Sequence, residues 1–201
     1  MFRPLAIALA LLVITAPMAR AAPSTNAADM PAGTYAVDKG HSSLIARVKH
    51  MGLAAYTVRF TGFDASYSYD PEAPAASRVE ARIQAATLDT GSEKYDADFA
   101  EKFLDADANP TITFVSTAIT PGDGNAGTMT GDLTFRGVTR PVTLDVTFAG
   151  YASGLGGQRS GFSAKGVIKR SDFGSTFLLN QPLAMVGDDV ELILELEFVK
   201  K

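Results

Sequence analysis

The chain has 201 residues, of which 46% are hydrophobic, 9% aromatic and 20% charged. This is the balance of a folded protein with one sizeable core, and it excludes disordered, collagen-like and coiled-coil classes. A formal net charge of -4 offers no attraction to phosphate backbones, so no nucleic-acid partner is expected. The absence of cysteine rules out disulfides, zinc-thiolate sites, catalytic thiols and acyl-anchored cysteines.

Residues 1–21 read as a cleaved signal peptide. Arg3 supplies the positive start, Leu5 to Ala16 forms a short apolar run, and Ala19-Arg20-Ala21 carries the small residues that a signal peptidase reads. This 12-residue run falls short of the ~20 a spanning helix needs, so no transmembrane segment is expected in the mature chain. The predicted location is periplasmic. Cleavage before Ala22 would remove two of the 18 basic residues, Arg3 and Arg20, and none of the 22 acidic ones, taking the charge from -4 to -6. Ala22 to Ala32, small-residue and aperiodic, reads as a flexible leader, with the folded domain spanning residues 33–201.

From Gly33 onward apolar residues recur with period two, the mark of strands with one face in a core. Leu44, Ala46 and Val48 open the series. Tyr56, Val58 and Phe60 then change phase to Phe63, Ala65, Tyr67 and Tyr69, with Gly62 at the change, which predicts a bulge or sharp bend. Val79, Ala81, Ile83 and Ala85 alternate with Arg78, Glu80, Arg82 and Gln84; Ile112 and Phe114, then Leu133 and Phe135, follow the same rule. The pattern continues through Val142, Leu144, Val146 and Phe148, then Phe162, Ala164 and Ile168, and ends at Val190, Leu192, Leu194, Leu196 and Phe198. Between the runs lie turn sequences: Asp70-Pro71-Glu72, Pro121 to Asn125, Arg136-Gly137-Val138 and Gly154 to Gly157.

One segment breaks the period. Thr90-Gly91-Ser92-Glu93 resembles a capping box, and Tyr95, Phe99 and Phe103 follow at helical spacing, predicting a short amphipathic helix over Ser92 to Leu104 that could plug a barrel end. The fold predicted is all-β: an antiparallel barrel of about eight strands with one helix, closed because closure removes edge strands.

Several motifs fail on chemistry. Gly122 to Gly127 satisfies G-x-G-x-x-G but leads into a strand, not the helix N-terminus that would hold a pyrophosphate. Asp105 to Asn109 begins like a calcium loop, yet Pro110 takes the place of the turn glycine. Asp172-Phe173-Gly174 stands without the other kinase elements. His41 and His50 are the only histidines, too few for a three-histidine metal site, and no G-x-S-x-G elbow accompanies them. Each reads as a structural hydrogen-bonding group or a polar contact to a ligand head group. Lys165, Lys169 and Arg170 read as a solvated strand face and loop.

The ordered set Lys49-His50-Met51-Gly52, Asn109-Pro110-Thr111-Ile112-Thr113-Phe114, Gly131-Asp132-Leu133-Thr134 with Gly137-Val138-Thr139-Arg140-Pro141-Val142, Gly161-Phe162-Ser163-Ala164, Arg170-Ser171-Asp172-Phe173-Gly174 and Val186-Gly187-Asp188-Asp189-Val190 resembles the YceI-like, polyisoprenoid-binding family. The resemblance runs from Gly33 to Lys200 and implies an exported lipocalin-like barrel whose apolar tunnel holds a long isoprenoid or similar amphiphile. Many members carry Arg-Asp-x-His-Leu where this chain has Tyr95 to Phe99.

Together these readings lead to a non-catalytic carrier of a long-chain isoprenoid or other lipid, an isoprenoid quinone among the ligands considered, with no cofactor, no metal and no catalytic residue. The interior ligand-binding set comprises Val58, Phe60, Phe114 and Leu133, then Phe135, Leu144, Val146 and Phe148, then Phe162, Ile168, Leu194 and Leu196; His41 and His50 are the candidate head-group contacts. A lipid hydrolase or isomerase acting through His41 or His50, and a filled interaction module, are the alternatives. Homodimerisation stays open.

Overall fold

The computed structural model describes residues 22–154, 156–181 and 185–201; the signal-peptide reading falls outside the described residues. Eleven strand segments and one helix follow in order: β1 (Gly33–Val37), β2 (Ser43–His50), β3 (Ala54–Phe60), β4 (Phe63–Tyr69), β5 (Arg78–Gln84), β6 (Leu88–Asp89), α1 (Glu93–Leu104), β7 (Thr111–Pro121), β8 (Ala126–Phe135), β9 (Val138–Gly154), β10 (Gly157–Lys169) and β11 (Val186–Lys200).

Six of the eleven segments are halves of interrupted strands. β1 and β2 both pair with β11, on either side of a tight helical turn at Lys39–His41. β4 pairs with β1 and β5, while β3 pairs with β2 and β6, so β3–β4 and β5–β6 are likewise single strands with a break. The result is an eight-stranded antiparallel meander, closed where the C-terminal end of β11 meets β1 through Tyr35↔Lys200 and Val37↔Phe198.

The breaks have local causes. Asp38 accepts from the Gly40 amide at 3.1 Å, stabilising the turn that splits the first strand. Gly62 sits where a Cβ would lie 2.6 Å from Thr87 Cγ2, and its amide donates to Thr87 Oγ1 at 2.9 Å. Only glycine permits that approach, so the predicted bend at Gly62 is stitched to the break at Ala85–Thr87 on the neighbouring strand. Arg136 and Gly137, both with positive φ (51° and 73°), make the two-residue turn between β8 and β9.

Two expectations need correcting. Ala22 to Ala32 is not a free leader: Ser24 exchanges backbone hydrogen bonds with Tyr151, the Tyr69 hydroxyl donates to Ala27 O at 2.8 Å, and Met30 is 1% exposed among Tyr35, Tyr67 and Phe198. Burying one such side chain contributes about 1.5–3 kcal/mol, enough to hold a short segment that composition alone marks as loose. The capping box also fails to form. Ser92 occupies the N-cap without a side-chain bond; Asp96 reaches back instead, accepting from the Thr90 amide at 2.9 Å and its hydroxyl at 2.6 Å.

The up-and-down course gives the barrel two distinct ends. The β2–β3 turn, α1, the β8–β9 turn and the segment leading into β11 lie at one end, here the mouth. The N-terminal segment and the β4–β5, β7–β8 and β9–β10 turns lie at the other.

Candidate functional site

The inner faces of the strands do not meet across the barrel. They enclose a cavity of about 700 Å³. β9 and β10 contribute Val142, Leu144, Ala164 and Ile168; β11 contributes Val190, Leu192, Leu194 and Leu196; β7 and β8 add Ile112, Phe114, Leu133 and Phe135. This wall is the period-two pattern closed on itself. Helix α1 covers the mouth with its i, i+4 face, on which Phe99 lies 5.5 Å from Tyr95 and 5.3 Å from Phe103, ring centroid to centroid.

Of the predicted interior set, Val58, Phe60, Phe114, Leu133, Phe135, Leu144, Ile168, Leu194 and Leu196 line this cavity. Val146, Phe148 and Phe162 do not. They border a second cavity of about 360 Å³ towards the N-terminal segment, where Thr25, Ala27 and Met30 supply part of the wall. Val79, Met129, Ala164, Leu196 and Phe198 line both cavities, so the two volumes adjoin. Aromatic packing forms part of the second cavity's wall: Tyr67 stacks on Tyr35 with centroids 4.9 Å apart, and Phe198 meets the Tyr67 ring edge-on at the same distance.

The two histidines occupy different stations. His50 is exposed and borders the main cavity at its mouth. His41 borders neither cavity; its Nδ1 lies 3.0 Å from Asp38 in an exposed turn at the far end of β2, nine residues from His50, or roughly 30 Å of extended chain. They cannot serve one site together. Asp38, His41 and Glu197 present ligand-type atoms to one another, but the Arg159 guanidinium pairs with both carboxylates, at 2.7 Å for Asp38, which makes this group an ion-pair network.

Arg170, expected from the sequence on a solvated loop, is buried instead. It is 3% exposed and borders the main cavity. The alternation already contained the signal: Ala164, Ile168 and Arg170 share one phase, so the strand face that sends the first two inward sends the arginine after them. Its Nε donates to Gly187 O at 2.7 Å, Nη1 to Ser175 O at 2.7 Å and Nη2 to Val186 O at 2.9 Å. Burial lowers its pKa, opposed by the nearby Asp188 carboxylate, yet a guanidinium stays protonated in proteins.

The rim of the mouth is apolar as well. Leu53 at the β2–β3 turn is 83% exposed. Met51, Tyr95, Phe177 and Met185 are also exposed, an uncommon gathering for a protein surface.

A family model described as the YceI-like domain matches residues 35–198, nearly the whole barrel. The chain belongs to the YceI-like family. Among its curated YceI-like relatives are protein YceI of Escherichia coli O157:H7, 33% identical over 180 residues (88% of this chain and 92% of that protein), and a UPF0312 protein of Pseudomonas aeruginosa, 33% identical over 174 residues (85% and 88%). The YceI-like barrel also superposes on the crystal structure of BcnA of Burkholderia cenocepacia, with a TM-score of 0.71, 31% identity, and coverage of 80% of this chain and 98% of that one. A polyisoprenoid binding domain from Saccharophagus degradans shares the fold at a TM-score of 0.62 and 15% identity, over 83% and 98% of the two chains. Among the described residues, no helix is long and apolar enough to cross a membrane.

Proposed function

We propose that this protein binds and carries a long-chain isoprenoid or similar amphiphile in the barrel, without catalysing a reaction on it, after export to the periplasm and removal of residues 1–21. The observation that carries the reading is an unfilled apolar cavity of about 700 Å³, continued by one of about 360 Å³, inside a YceI-like barrel. The Saccharophagus neighbour, described as polyisoprenoid binding, supports the class of cargo. Each enclosed methylene contributes about 0.8 kcal/mol, so ten carbons offset about 8 kcal/mol of the ~4–15 kcal/mol lost on association. A longer chain therefore binds tightly without any polar contact.

Mass spectrometry of an organic extract of the purified protein tests the reading. A long-chain isoprenoid or comparable amphiphile near one per chain is the expected result, and a lipid-free extract from protein expressed in its native compartment counts against it. Intact mass of the exported form should begin at Ala22. A species retaining Leu5 to Ala16 would instead place the barrel on a membrane tether.

A further inference from the structure

Among the described residues, the main cavity carries one buried charge, and that charge makes no direct salt bridge. Among the described residues no carboxylate lines the cavity. Arg47, also on the lining, pairs with Glu191 at 3.3 Å and is only half-buried. Arg170 is different: all three of its acceptors are neutral peptide carbonyls, and the Phe103 ring covers one face of the guanidinium, 5.5 Å from Cζ to centroid. The adjacent carboxylate of Asp188 spends its two oxygens on the amide and hydroxyl of Ser171, at 2.9 and 2.8 Å. Of the five N–H bonds of Arg170, three are used in these contacts, leaving one on each terminal nitrogen.

A guanidinium in this setting is clamped in place by the backbone but has no carboxylate in direct contact. Carbonyl dipoles hold it, and the Asp188 carboxylate offsets its charge only from a distance. The low-dielectric wall strengthens its field inside the cavity. An oxyanion reaching it would form charge-assisted hydrogen bonds, shorter and roughly twice as strong as neutral ones, whereas a cation would be repelled. A neutral head can still accept a hydrogen bond from the guanidinium but adds no attraction between opposite charges.

We propose that Arg170 is the head-group contact of the cavity and that it selects an amphiphile whose polar end is an oxyanion, a phosphate or carboxylate, over neutral or cationic heads on the same chain. This rests on the carrier reading above and adds polarity to it. The apolar chain then runs from the mouth towards Leu196 and Phe198, where the two cavities adjoin.

Displacement of a neutral fluorescent probe, N-phenyl-naphthylamine, by four ligands of one chain length tests it: geranylgeranyl phosphate, geranylgeranoic acid, geranylgeraniol and geranylgeranylamine. The phosphate, the carboxylate or both should displace the probe about tenfold or more below the concentration the alcohol needs, with the amine weakest; which acid leads identifies the head. Equal displacement by the alcohol and both acids overturns the proposal while leaving the carrier reading intact. Displacement by none of the four overturns the carrier reading itself, and the head-group assignment falls with it. Arg170→Gln should bring acids and alcohol to within about twofold of each other with the alcohol unchanged, and Arg170→Lys should restore part of the preference. A folded Arg170→Gln that keeps the full preference overturns the assignment. If that variant fails to fold, the four-ligand series on the unaltered protein decides alone.

Discussion

The Tyr67 hydroxyl stands 2.6 Å from Ser160 Oγ and 3.4 Å from the Met30 sulfur, tying the N-terminal segment, β4 and β10 together inside the closed end of the barrel. A phenol has one proton. With that proton on the sulfur, Ser160 must donate to Tyr67, so the pair is oriented. Tyr67→Phe keeps the ring stack but strands the Ser160 hydroxyl, which is 1% exposed. The expected cost is about 1–3 kcal/mol in urea unfolding, with probe binding at the mouth unchanged.

The same cluster sets the alkaline limit. Burial pushes Tyr35 up from 10.0 to about 12, with Tyr151 and Tyr69 adding to the shift, and burial raises Tyr67 further still against the opposing Ser160 bond. Between these values the unfolded chain has released protons that the folded chain retains, so stability falls as pH rises from 10.0 towards about 12. Below pH 10.0 it should be flat with respect to these groups. Unfolding midpoints across that range, with tyrosinate absorbance followed in parallel, check the sign; Tyr67→Phe should lessen the slope.

Acid acts at the Asp38 network. The Arg159 hydrogen bond, then His41, hold Asp38 down from 3.8 to about 2. A lowered folded-state pKa means stability present above 3.8 and lost as pH falls to about 2. The wild type should lose this increment over that window and Asp38→Asn should not, so their urea midpoints converge at the acid end. Added salt should shrink the difference, because the groups are solvent-accessible.

The N-terminal segment should behave as part of the domain. Met30→Ala is expected to cost about 2–5 kcal/mol, the range for truncating a fully buried methionine. A chain starting at Gly33 should melt earlier and bind a hydrophobic dye at the uncovered Tyr67 and Phe198. Unchanged melting of both variants would return the segment to the status of a loose tail.

Leu144→Trp probes the cavity directly. Leu144 is 6% exposed on β9 and borders the main cavity. The indole has space to enter, so overpacking should stay within about 1–3 kcal/mol and circular dichroism should be unaltered. Bound lipid should fall sharply. Full lipid stoichiometry in a folded Leu144→Trp variant would put the cargo outside the barrel.

Local pattern alone determined much of this protein. Alternation from Leu44 to Phe198 assigned inner and outer faces, Gly62 marked the bend, Arg136-Gly137 marked a tight turn, and Tyr95, Phe99 and Phe103 marked the inward face of α1. These are properties of neighbouring residues, where side-chain direction follows from backbone period. Tertiary structure decided what period cannot express, namely distance across the barrel and partners remote in the chain. Phe114 and Leu194 line the main cavity, whereas Phe148 and Phe162 pack against each other with centroids 5.3 Å apart beside the second one, although all four obey the same alternation. Met30 is held by Tyr67, and Arg170 by carbonyls of Ser175, Val186 and Gly187. A polar or flexible residue becomes a buried one only when the closed sheet brings a surface or an acceptor to it, and closure is set by the pairing of β1 with β11, the two ends of the barrel sequence.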